Sequence, residues 1–126
     1  DMVVQLQREV VATECSDNNV SAGYEGAKKL LSTGKQIDGI VCATDSIAVG
    51  CIHALKERGH EIPKNIAVVG FDGFGYENMT NPRLTTVKQP LYAVGVSLAD
   101  NLIAMLDGQQ PICSKISPEL VVNESA

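Results

Sequence analysis

Residues Ile66-Ala67-Val68-Val69-Gly70-Phe71 form an apolar run without polar alternation, and it stops on Asp72-Gly73. Such a run predicts a strand buried on both faces, as in a parallel sheet covered by helices. Ligands of open parallel sheets bind just beyond the carboxyl ends of the strands, which is where Asp72 stands. Gly70 and Gly73 are expected to let the backbone turn and approach a ligand closely. The plainer role for Asp72 is an Asx turn that closes the loop.

The rest of the chain reads as alternating strand and helix. Met2, Val3 and Leu6 share a helical spacing over residues 1–9, a pattern that begins in mid-element and suggests a piece of a longer protein. Val10–Thr13 is a short strand candidate, followed by the polar cluster Glu14 to Asn19. A helix is predicted over Val20–Ser32, with Ala27, Leu30 and Leu31 on its buried side and Gly34 as its stop. Ile37–Ala43 is the next strand, and Thr44-Asp45-Ser46 opens a helix that runs to Arg58. Thr44 or Asp45 can accept hydrogen bonds from its first free amides. Strand, helix, strand, helix, strand predicts right-handed crossovers and a parallel sheet. After an irregular loop over residues 73–83, Leu84–Val87 is extended. Leu91–Leu106 is a helix with Leu91, Val94, Leu98, Leu102 and Met105 on one stripe, and Ile116–Val122 is a last strand.

The 126 residues suffice for one domain with a sizeable core, and a net charge of −5 argues against a direct grip on nucleic acid. No apolar run approaches the roughly 18 residues of a membrane span, and no signal peptide is visible, so a cytoplasmic location is expected. Cys15, Cys42, Cys51 and Cys113 lack metal or redox spacing and are expected as free buried thiols. With His53 and His60 the only histidines, neither a metal centre nor a cofactor is expected. The glycines after Phe71 match neither the dinucleotide nor the P-loop pattern, and no Ser-His-acid set has a recognisable spacing. Catalysis is therefore not expected.

Several phrases taken together carry a resemblance. They are Asp38-Gly39-Ile40-Val41-Cys42-Ala43-Thr44-Asp45, Ala48-x-Gly50, Ala54-Leu55-Lys56-Glu57-x-Gly59 and Ile62-Pro63. Ile66 to Asp72, Pro82-x-Leu84-Thr85-Thr86-Val87-x-Gln89-Pro90 and Gly95 complete them. In this order they resemble the effector-binding core of the lactose-repressor and galactose-repressor family of bacterial transcription regulators. The resemblance implies an α/β, periplasmic-binding-protein-like core, chiefly its second, C-terminal subdomain. Residues 1–84 would form most of that subdomain. Residues 85–110 would cross a hinge at Thr85, Thr86 and Val87 and supply a helix to the first subdomain, and residues 111–126 would return. It also implies sugar binding, repressor activity, a homodimer, and operator DNA contacts through a headpiece absent from this chain. A transport-type periplasmic sugar-binding protein is the alternative.

Residue by residue, Asp72 matches the family's ligand-contacting aspartate and Thr44 a frequent ligand contact. Glu14, Asp17 and Asp45 are further ligand candidates, although a helix cap is the stronger explanation for Asp45. Carboxylates suit a polyol because charge-assisted hydrogen bonds are about twice as strong as neutral ones. Glu14, Thr44 and Asp72, at adjacent strand ends, are expected to converge on one pocket. The family's dimer contacts would fall on helix 46–58 and loop 74–81, with Ile52 and Tyr76 at the interface. The stripe Leu91, Leu98, Leu102 is expected to pack on a neighbouring copy or on the chain's own sheet. Many members end in Arg-Glu-Ser where this chain has Asn123-Glu124-Ser125, which puts its C-terminal contacts in question.

Overall fold

A computed structural model describes residues 9–126. The helical end expected over residues 1–9 lies outside them but for Glu9, which is in no helix. The described chain runs α1 (Val20–Ser32), β1 (Gly39–Val41), α2 (Asp45–Glu57), β2 (Ala67–Asp72), a 3-10 turn (Tyr76–Asn78), β3 (Thr85–Lys88), α3 (Leu91–Leu106) and β4 (Glu119–Val121). The strands form one sheet in the order β1-β2-β3-β4. β1, β2 and β3 are mutually parallel, and β4 is antiparallel to β3.

Two of the three helices start where the sequence supplies a side-chain acceptor, whereas α3 begins after Pro90 without one. The Asn19 side chain caps α1 by accepting from Ala22 N at 2.9 Å, and Thr44 caps α2 by accepting from Ile47 N at 3.4 Å. Glycine brings the two helices into backbone contact. A Cβ at Gly50 would stand 1.9 Å from the Val20 carbonyl oxygen, and one at Gly23 would stand 2.1 Å from that of Ile47. The core lies between these helices and one face of the sheet, where Leu30, Ile40, Ile52, Leu55, Val68 and Leu84 are buried.

Four expectations change. Val10–Thr13 joins no strand, because only Val11 reaches the core while Val10 is 71% exposed. One apolar anchor is too little to seat this segment on the edge of β1. β2 is buried on one face only: Val68 and Gly70 are covered, whereas Phe71 is exposed. Both α1 and α2 lie on that covered side, and the second helical layer that a parallel sheet normally carries is missing from the described residues. α3 does not supply it, since none of its residues is buried, and the expected stripe stays open at Leu98 and Leu102. Packing of that stripe on the chain's own sheet is thereby ruled out. Finally, Ile52 is 1% exposed and belongs to the core, so it is no interface residue.

The altered C-terminus is well bonded. Ser125, fully buried, accepts from Thr85 N at 2.8 Å and donates to the Val68 carbonyl at 2.6 Å, which joins the starts of β2 and β3. Asn123 donates from its side chain to the Leu84 carbonyl at 2.8 Å, a neutral contact that requires no arginine.

Replacing Ile52 with Ala should cost about 2–5 kcal/mol of stability in urea denaturation, whereas Val41→Ala on the bare face should stay within about 0.5 kcal/mol. Equal costs would contradict a core confined to one face.

Candidate functional site

The carboxyl ends of β1, β2 and β3 lie along one edge of the sheet because the three strands are parallel. Two groups of polar residues occupy it. The first rims a cleft of about 590 Å³ between residues 13–18 on one side and α1, β1 and α2 on the other. Its walls are apolar, from Ala27, Leu30, Ile40 and Ile47, and Glu14, Asp17, Asn18 and Thr44 stand at its polar parts. Thr44 Oγ1 donates to Asn18 Oδ1 at 2.5 Å, and Ser46 Oγ donates to the same oxygen at 3.0 Å. A hydroxyl pair is thus fixed by one amide oxygen at the mouth of α2, where the unpaired amides of the first turn also point. Asp17 spends its carboxylate locally, accepting from Asn18 N at 2.7 Å and from Asn19 Nδ2 at 2.9 Å. Glu14 stands exposed on the rim.

The second group is Asp72 with Gln89. Asp72 closes β2 at φ 124°, a backbone region that favours glycine and costs other residues on the order of 1–3 kcal/mol. Two bonds from one partner hold it there. Gln89 Nε2 donates to Asp72 Oδ1 at 2.8 Å, and Gln89 N donates to the Asp72 carbonyl at 3.1 Å. Asp72 is half-buried, and the Gln89 side chain occupies only one of its two carboxylate oxygens. A strained residue held by neighbours at the mouth of a sheet is where function is to be sought.

Asp45 departs from expectation. It neither caps α2, which Thr44 does, nor faces a ligand, because it is fully buried. Its Oδ1 accepts from Thr86 Oγ1 at 2.6 Å and its Oδ2 from Gly73 N at 2.9 Å. Gly70 is small for its sake: a Cβ there would lie 2.3 Å from Asp45 Oδ1. The glycine therefore makes room for a carboxylate of the chain itself, where the sequence suggested a ligand.

Glu14, Asp17 and Thr44 share the cleft, whereas Asp72 stands outside its lining, at the end of the next strand. The expected single pocket is therefore two polar stations along one edge. Asn18 and Gln89 went unnoticed among ligand candidates. For Gln89 the signal is its place directly after β3, one residue past Lys88, which pairs with Asp72 at the end of β2. Asn18 sits in a run of polar residues and carries no such mark.

Cys15, Cys42 and Cys51 all line the cleft, and Cys42 and Cys51 are buried. The Cys42 thiol is pushed well above its ordinary range by its hydrogen bond with Cys51 and by burial, with smaller repulsions from Cys51, Cys15 and Asp45. Cys113 is exposed instead of buried because the stretch after α3 lies on the surface. Among the described residues no group of three His, Cys, Asp or Glu side chains is placed to hold a metal ion.

A family model described as a periplasmic binding protein-like domain matches residues 4–126. The HTH-type transcriptional regulator RegA of Clostridium saccharobutylicum is 40% identical over 91 residues, which is 72% of this chain and 27% of that protein. The ribose operon repressor of Halalkalibacterium halodurans is 33% identical over 126 residues, covering 98% of this chain and 38% of the repressor. Among solved structures, a LacI family transcriptional regulator from Arthrobacter sp. FB24 in complex with lactose superposes with a TM-score of 0.85 at 26% identity. That match covers 98% of this chain and 47% of the other. The chain therefore spans less than half the length of each of these proteins, from 27% to 47%.

Two measurements test the site. The positive φ at residue 72 predicts that Asp72→Gly is more stable than Asp72→Ala by about 1–2 kcal/mol in urea denaturation, the reverse of the usual order for strands. A native thiol reagent at pH 8 should modify Cys113 first, then Cys15, and leave Cys42 and Cys51 intact by peptide mass spectrometry. The folded state keeps the Cys42 proton that an unfolded chain releases above about pH 8.5, so stability falls as pH rises past that point.

Proposed function

The chain belongs to the periplasmic binding protein-like domain family, and from that premise we propose that it senses a sugar-like effector within a bacterial DNA-binding transcriptional regulator. The observation that carries this reading is Asp72, held at a strained φ by Gln89 at the carboxyl end of β2 with an oxygen left open. The relatives that match 72% to 98% of the chain are named as regulators, one of them for a ribose operon and one solved with lactose. They favour a repressor over a transport protein, and regulation over catalysis.

In this reading Thr44 and Asp72 bind effector hydroxyls, with Glu14 and Asn18 beside them and Asp17 shaping the loop. Residues 1–84 are most of the second subdomain. Residues 85–110 cross between subdomains, with Thr85, Thr86 and Val87 as the hinge, and residues 111–126 return. What supports that division is the course of the chain: it leaves the sheet after β3, forms α3 without burying any of its residues, and re-enters as β4. α3 and the bare sheet face then await the rest of the regulator. The regulator dimerises, with loop 74–81 a contact surface, and binds operator DNA through a headpiece outside this chain. No helix among the described residues is long and apolar enough to cross a membrane, and the regulator acts in the cytoplasm, where its operator is.

Effector binding can switch such a protein only if its two states bind the effector unequally. Calorimetric titration of the full-length regulator with ribose, lactose and cellobiose should find one ligand in the micromolar range, about −8 kcal/mol. Asp72→Asn and Thr44→Val should each weaken it by roughly tenfold or more, the loss of one strong hydrogen bond. Tight binding of a sugar that neither substitution disturbs would contradict the site.

A further inference from the structure

Three segments meet on the Asp45 carboxylate. Asp45 follows Thr44 directly, so it moves with the effector-facing mouth of α2. Gly73, whose N–H donates to Oδ2 at 2.9 Å, follows Asp72 directly. Thr86, whose hydroxyl donates to Oδ1 at 2.6 Å, lies in β3, the strand by which the chain leaves this sheet. Asp45 and Thr86 are buried to 0% and 1% exposure, so no water can replace the bond between them when a segment shifts, while the bond from Gly73 is part-buried. Gly70, paired in register with Thr86, leaves the carboxylate no slack on its remaining side.

We infer that Asp45 is a positioning residue that couples the two effector contacts to the crossing strand, transmitting occupancy of the site to β3 without touching the effector. A buried carboxylate cannot be left short of a donor at small cost. Displacement of Thr44 or Asp72 by a ligand therefore carries Thr86 with it. A polar group on the surface would exchange its partner for water and transmit nothing. This inference rests on the effector-sensing reading and adds the route by which that site acts.

The test uses the full-length dimeric regulator and its operator, with ribose, lactose and cellobiose as probes. Effector affinity is measured by calorimetry, and the coupling factor is the ratio of operator affinities with and without the probe. Thr86→Val removes the donor at nearly constant shape, and Asp45→Asn places an amide opposite one donor. Each should leave effector affinity within about threefold of wild type while cutting the coupling factor by roughly tenfold, within the ordinary range of allosteric coupling. The double variant should be no worse than either single one, as expected for two ends of one bond. Thr86→Ser, which keeps the hydroxyl, should restore coupling and covers the case in which Asp45→Asn fails to fold. Wild-type coupling in Thr86→Val with effector bound overturns the inference and leaves the sensing reading standing. A wild-type regulator that neither binds nor responds to any of the probes overturns both.

Discussion

A carboxylate without access to water holds the working end of this molecule together. Asp45 sits in the first turn of α2, where the helix dipole favours a negative charge, and it draws donors from the β2–β3 loop and from β3. Each hydrogen bond to a buried charge contributes about 1.5–3 kcal/mol, and removing one leaves a desolvated charge that costs more than the bond itself. Much of the local sequence answers to this one group. Gly70 stays bare for it, Thr86 turns its hydroxyl inward, and Thr44 takes over the capping of α2.

With that edge fixed, the remaining polar groups can face outward. Thr44 and Ser46 share the Asn18 oxygen, and Asp72 accepts the strain of φ 124° because Gln89 holds it from two sides. Preset geometry of this kind is what a small polar ligand requires, since ordering side chains at the moment of binding would consume affinity. The opposite ends of β2 and β3 are fastened by Ser125, so the sheet is clamped at both ends of its central strand pair. The chain belongs to the periplasmic binding protein-like family, and among its described residues one sheet face stays bare and α3 stays unburied.

How much of this was legible in the sequence depended on whether the signal was local. The three helices were readable because apolar periodicity and terminal glycines lie within one stretch of chain, joined in α1 and α2 by polar caps. β2 was readable as a strand from its unalternating run, but its second face was misjudged, since periodicity reports what a strand is built to bury and not whether the covering layer lies in the same chain. Val10–Thr13 had the composition of a strand without the number of anchors that pairing requires. The site was half legible: Thr44 and Asp72 stand where strand ends place them. The exchange of roles between Thr44 and Asp45 depends on Thr86, 41 residues from Asp45, and no local pattern records it. Asn18 and Ser125 were hidden for the same reason, since each acts through partners far along the chain.

The proposed effector seat is the carboxyl edge of this sheet, with Thr44 and Asp72 as its contacts. A crystal structure of the full-length regulator with its bound sugar tests it most directly. Sugar hydroxyls should lie within ordinary hydrogen-bond distance, about 2.6–3.2 Å, of the Asp72 carboxylate and the Thr44 hydroxyl, with Asp45 still closed on Thr86 or shifted together with it. A sugar seated elsewhere, touching neither residue, would contradict it.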